Sequence, residues 1–245
     1  MDNELFKDDA SYYADRTYLS NSSLKLLRES PLKYKKWVEK KWDYPSSPYF
    51  AFGSALHSLF LEGVDAAVPY GGTRRGKAYE EFRDNNPDKY VLAQKEYEDL
   101  YAMNNKLINN VEVMELMDQW TPEVPATIVY KDVNLKGKAD AIVDHWSGKY
   151  IVDLKTTAKS IDEFYRGAKY MLYNQQAAIY CKLFDVETFY FVVIEKAWPF
   201  EIGIFKCSPS FIEAGTRELD YSIQIYKHLF IDGHFKENYA REFEL

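Results

Sequence analysis

The chain has 245 residues and a net charge of −7, and a hydrophobic share of 47% is enough for a real core. The acidic balance argues against a simple basic coat around nucleic acid, and two cysteines, Cys181 and Cys207, are too few for a cysteine-held zinc or iron–sulfur site. The polar start MDNELFKDDASYYADR is no secretory leader and no run approaches the length of a membrane helix, so a reducing cytoplasm and no membrane partner are expected.

Residues 1 to about 16 carry little pattern and are expected to be extended or flexible. Ser20, Asn21 and Ser22 are N-cap candidates for a helix through Leu24, Leu26 and Leu27 that stops near Pro31. From Leu32 to Trp42, lysines including Lys35 and Lys36 interleave with Tyr34, Trp37 and Trp42, which describes either a solvated amphipathic helix or one that contacts phosphates. Residues 47–63 place Phe52, Leu56, Leu59 and Phe60 at helical spacing, with Gly53 and Ala55 allowing close packing. His57 is the one titratable group in that helix before Glu62, and such a histidine is commonly a hydrogen-bonded core residue. Residues 68–90 read as a loop and a polar helix, in which Arg74, Arg75 and Lys77 cluster beside glycines. That cluster is either a solvated loop or a set of contacts to a phosphate backbone. Gln94 to about Asp118 reads as a scaffold helix.

Glu123 begins a strand that leads into a hairpin between Lys136 and Thr157. Ala139 to Val143 is apolar except for Asp140, Ser147-Gly148 marks the turn, and Tyr150 to Leu154 is apolar except for Asp153. A buried carboxylate without a partner is costly, so two in one hairpin imply a cation between them. Strand alternation puts Lys155 on the face of Asp153 and turns Leu154 into the core, so Asp140, Asp153 and Lys155 converge. Mg²⁺ is typically held by one or two carboxylates plus substrate phosphate and water, and a lysine beside it can position an attacking water. The plainer alternative is a surface hairpin with an ordinary ion pair. Thr156 and Thr157 are expected to leave the sheet, and a helix over 160–184 opens on a capping box of Ser160 and Glu163. Gln176 and Tyr180 share one face of it. Thr188–Ile194 and Phe200–Phe205 read as strands, Ser208 to about Phe230 as an amphipathic helix, and 233–245 as a polar tail. With no repeat or linker, one domain over 1–245 is expected.

Five motifs therefore stand in order: S-x-S…P at Ser20, Ser22 or Ser23, and Pro31; G-x-A-x-H at Gly53, Ala55 and His57; G-K-x-D ending at Asp140; D-x-K at Asp153 and Lys155; and Q-x-x-x-Y at Gln176 and Tyr180. Across about residues 18–215 this series resembles the PD-(D/E)XK nuclease superfamily, and within its RecB/Cas4-like branch the RecE-type exonuclease VIII domains. The resemblance implies an α/β fold with a central mixed β-sheet flanked by helices. It implies a Mg²⁺-dependent exodeoxyribonuclease, with Mn²⁺ as a substitute, that resects linear duplex DNA 5′ to 3′ and leaves 3′ tails for a single-strand annealing recombinase of phage type. The implied metal ligands are His57, Glu123, Asp140, Asp153 and the Leu154 carbonyl, with Lys155 holding the water and Gln176 and Tyr180 against the site and the DNA. A closed homo-oligomeric ring is also implied. Metal affinity should then fall as His57 protonates, below a pH of about 6.5. A Cas4-like nuclease (whose usual cysteine cluster is missing here), a structure-specific endonuclease on the same core, and a non-catalytic DNA-end-binding protein are the alternatives.

Overall fold

Capped helices open the chain. The computed structural model describes residues 6, 8–44, 48–146 and 148–238. Residues 8–16, expected to be extended or flexible, are folded: Asp8 caps α1 (Asp9–Ala14) through the Ser11 backbone N–H. The Lys136 ammonium, only 4% exposed, holds this segment down by donating to the carbonyl oxygens of Tyr12 and Asp15, the latter at 2.6 Å, beneath the rings of Phe6 and Tyr12. Residues 1–5 and 7, and the turn residue Ser147, lie outside the described residues. Ser20 caps α2 (Asn21–Glu29) in a reciprocal box with Ser23, and Ser30 caps α3 (Pro31–Val38), whose Pro31 needs no N–H there. Helix α4 (Pro48–Leu61) buries Phe52, Leu56 and Phe60, as their spacing predicts.

The stretch read as loop and polar helix also contains strands. β1 (Ala67–Tyr70) and β2 (Tyr90–Ala93) pair in parallel around α5 (Lys77–Asp84). The single helix expected over 94–118 is two, α6 (Gln94–Ile108) and α7 (Val111–Leu116), because the Asn110 side chain accepts from the Val113 N–H and starts a new helix. Leu100, Met103 and Leu107 of α6 are fully buried, and α6 packs against α4.

The main sheet follows the order β3 (Thr121–Tyr130), β4 (Val133–His145), β5 (Gly148–Thr157), β6 (Thr188–Glu195) and β7 (Ile202–Lys206). All neighbours are antiparallel except β5 and β6. Thr156 and Thr157 stay in β5, because β6 is long enough to pair them with Ile194 and Glu195. A parallel pair needs a crossover, supplied by α8 (Ile161–Gly167) and α9 (Tyr173–Phe184). The one helix expected there is broken at Leu172, whose φ of 55° is left-handed. Helix α10 (Pro209–Tyr226) lies along α9 and runs on as a π-helical turn, Lys227–Ile231. The polar tail is described to residue 238, and Phe235 stacks on Phe230 with centroids 5.2 Å apart.

The result is the expected α/β architecture, a mixed sheet with a core on each face. On one, Ile151, Phe189, Phe191 and Val193 meet Leu24 and Leu27 of α2, Ile179 and Leu183 of α9, and Leu219 of α10. On the other, Val152, Leu154, Val192 and Ile194 meet α4 and α6. Each large side chain buried this way contributes about 1.5–3 kcal/mol. The sheet opens between β4 and β5. β4 and β5 pair only from Ala141↔Val152 to His145↔Gly148, and beyond that they part. On the far stretch of β4, Leu19 forms a parallel bridge to Leu135 instead.

Candidate active site

Asp140 and Asp153 are the first residues past the last β4–β5 pair, one on each strand of the fork. The Leu154 N–H donates to Asp140 Oδ2 at 2.9 Å, so a side chain stands where a strand partner would be. Asp153 is 1% exposed. Its Oδ1 accepts from Gln176 Nε2 at 2.6 Å, and its Oδ2 forms an ion pair with Lys155 Nζ at 2.6 Å. Burial raises the Asp140 carboxyl well above the usual carboxylate range, and the Asp153 charge adds to the effect. Burial also works against the charge on Lys155, but Asp153 and Asp140 outweigh it and hold the ammonium above its ordinary value. The convergence of Asp140, Asp153 and Lys155 expected from alternation is what the fork delivers.

From the other core, α4 brings His57 to the same place. Its Nε2 lies 2.8 Å from the Leu154 carbonyl oxygen, which can only accept, so Nε2 carries the proton and Nδ1 is left 3.5 Å from Asp140 Oδ2. Burial, with the Lys155 charge, lowers the His57 pKa and favours the neutral imidazole that ligates metals. Glu123 has a left-handed φ of 53°, an arrangement that costs on the order of 1 kcal/mol. The β3–β4 register runs on unchanged from Pro122↔Ala141 to Val124↔Ala139, so Glu123 falls opposite Asp140. It pairs with Lys138, which also binds Asp9 of α1 at 2.9 Å.

His57, Glu123 and Asp140 present ligand atoms within 4.8 Å of one another. Of the other two expected ligands, Asp153 is held by Gln176 and Lys155, and the Leu154 carbonyl oxygen faces His57 Nε2. Carboxylate oxygens with one neutral imidazole nitrogen, next to the buried Asp153 carboxylate, fit a hard divalent cation. Tyr180, one turn after Gln176, lies against β4 where Gly137 leaves room: a Cβ at Gly137 would stand 2.5 Å from Leu183 Cδ1 and 3.3 Å from the Tyr180 ring. Burial pushes the Tyr180 phenol well above its ordinary value.

A cavity of about 380 Å³ beside His57, Leu154 and Lys155 is also lined by Phe50, Gly53 and Lys196, of which Phe50 and Lys196 were not foreseen. Of the three basic residues expected to contact DNA in the glycine loop, Arg74 is held by Glu96 at 2.7 and 2.9 Å, whereas Arg75 and Lys77 are exposed. Lys35 and Lys36 lie against the C-terminal segment. Lys35 lies 4.9 Å from the Phe235 ring centre, and Lys36 pairs with Glu237. One further cation was missed: Lys25 of α2 lies over the Tyr173 ring, which Lys155 also approaches. Nothing local distinguishes it, since it sits between two core leucines, Leu24 and Leu26.

Among solved structures, the fold is similar to that of a presumed exonuclease from Eubacterium rectale, with a TM-score of 0.65 and 14% identity over 97% of this chain and 95% of that one. The crystal structure of SSO0001 overlaps 69% of this chain and 84% of its own at 17% identity, with a TM-score of 0.35. No curated protein matches. The profile of a PDDEXK-like domain of unknown function (DUF3799) matches residues 20–239, from the cap of α2 to beyond α10. With that match enclosing the forked strands, His57 and Gln176, the chain belongs to the PDDEXK-like DUF3799 family and so to the PD-(D/E)XK nuclease superfamily.

Proposed function

We propose that this protein is a metal-dependent exodeoxyribonuclease that resects linear duplex DNA 5′ to 3′ and leaves 3′ tails for an annealing recombinase of phage-type recombination. The observation that carries the hydrolytic part is the fork: two carboxylates leave the ladder at the same step, with Lys155 2.6 Å from Asp153 and His57 3.5 Å from Asp140. His57, Glu123, Asp140 and Asp153 would hold Mg²⁺, or Mn²⁺ in its place. A hard divalent ion there neutralises phosphate charge and lowers the pKa of a water. The chain's own groups do the positioning. Lys155 holds the attacking water beside the scissile phosphate, Gln176 fixes Asp153, and Asp140 fixes the width of the fork through the Leu154 N–H. Tyr180 wedges α9 against β4, and Lys138 keeps Glu123 near the site.

Lys196 and Phe50 at the cavity, with Arg75 and Lys77 on the glycine loop, are the surface assigned to the DNA backbone; Arg74 steadies that loop through Glu96. The 5′-to-3′ polarity and a ring of identical subunits that keeps its cations on an inner face rest on the family resemblance, whereas a cytoplasmic location rests on the sparse cysteines and the action of residues 1–245 as one domain on the lack of a repeat or linker. Light scattering that finds only monomer would remove the ring. The decisive experiment is digestion of end-labelled linear duplex with Mg²⁺ against an EDTA control. Nucleotides should be released from linear but not closed circular DNA, and Asp153→Ala or Lys155→Ala should lower the rate about a hundredfold or more with the fold intact. Activity that persists in both variants overturns the mechanism, and cleavage of the circle makes the protein an endonuclease.

A further inference from the structure

Lys25 is a half-buried cation with a like charge for a neighbour. Its ammonium lies 5.1 Å from the centre of the Tyr173 ring, and the Lys155 ammonium lies 5.8 Å from the same centre. Lys155 has Asp153 as a partner. Among the described residues no carboxylate stands within 4 Å of the Lys25 ammonium. Burial first, and the Lys155 charge second, lower its pKa to about 8, with Asp153 only partly opposing them. Two ammonium groups on one aromatic ring, only one of them in an ion pair, form a place suited to an incoming anion.

The position is also rigid. Asn21, one turn before Lys25, accepts from Gln175 Nε2 at 3.1 Å, and the Gln175 Oε1 accepts from Ser222 Oγ at 2.8 Å. The next residue, Gln176, holds Asp153. One network therefore ties the helical turn that precedes Lys25 to the helix that holds Asp153 before any ligand arrives.

We propose that Lys25 grips a phosphate of the strand being cut, a neighbour of the scissile one, and so sets the register of that strand against Lys155. The inference rests on the nuclease reading and adds a residue to it. It predicts energetic coupling between Lys25 and one phosphate. Linear duplexes carrying a single neutral methylphosphonate, moved step by step through the positions flanking the scissile bond, test it on the full-length protein with Mg²⁺. At one position the neutral group should lower kcat/KM of the wild type about tenfold. Lys25→Ala should lose about tenfold on unmodified DNA and show no further loss at that position, while other positions still penalise it. Lys25→Arg should restore most of the loss, and the salt slope of DNA binding without metal should fall by about one in Lys25→Ala. A purely structural lysine gives penalties that multiply at every position, and that result, or an unaffected Lys25→Ala, overturns the inference while leaving the nuclease reading in place. A wild type that cuts no DNA removes both.

Discussion

The fold disfavours a charge on Asp140. Burial and Asp153 raise its carboxyl, and Lys155 and the Leu154 N–H offset only part of this. An acid whose folded pKa lies above its unfolded one destabilises the fold while ionised. The penalty is therefore present near neutral pH and disappears as the pH falls to the ordinary carboxylate range, where both states are protonated. Asp140→Asn keeps an oxygen for Leu154 and removes the charge. The metal-free variant should be more stable by on the order of 1 kcal/mol near neutral pH and no more stable in acid, and it should lose DNA hydrolysis. Urea midpoints in EDTA at the two pH values measure this, and a lower midpoint near neutrality contradicts it. Asp140, Asp153 and Lys155 were legible in the sequence because a period-2 pattern on two adjacent strands is local information. His57 and Gln176 were reachable only through family motifs. The Lys138 contact to Asp9 spans 129 positions, and Lys25 meets its neighbours across a comparable separation, so no local pattern encodes either.

At the level of elements, the site depends on where α9 lies, and α10 sets that position at Gly215. A Cβ there would stand 1.8 Å from the Asn174 carbonyl oxygen and 2.3 Å from its carbon. Backbone cannot turn aside as a side chain does, so Gly215→Ala must push α9 off α10. Alanine's helix preference is worth about 1 kcal/mol, which is less than the clash, and a net loss of about 3 kcal/mol or more is expected. Because the displaced turn carries Gln176, the folded remainder should also lose activity. Thermal denaturation with a parallel activity assay checks both, and a melting temperature at or above the parent's removes the crossing argument. The break before α9 shows why such placement escapes sequence reading. The left-handed residue is Leu172, which has no conformational preference for that role, and the nearby glycine, Gly167, only ends α8. β1 and β2 were missed for a different reason: each is four residues long, and β1 contains Pro69, so neither offers an alternating run to read.

At the scale of the whole molecule, the candidate centre is a joint between the two cores. His57 comes from α4 on one face, Gln176 reaches in from α9 on the other, and Glu123, Asp140 and Asp153 come from three successive strands between them. An ion held there ties four elements that the unfolded chain leaves far apart, so it should stabilise the native state by mass action, by about 2.7 kcal/mol at a free concentration a hundred times its Kd. Each kcal/mol moves the melting temperature of a chain this size by roughly 2–4 °C, so saturating Mn²⁺ should raise it by roughly 5–10 °C. A net charge of −7 means that any divalent cation also screens general repulsion, which would mimic a small shift. The comparison that separates the two is between the wild type and Asp140→Asn at matched ionic strength. Screening acts on both almost equally, whereas a bound ion lifts the wild type alone. Equal shifts in the two proteins would mean that the fork binds no ion and that its carboxylates are simply a costly feature of the fold.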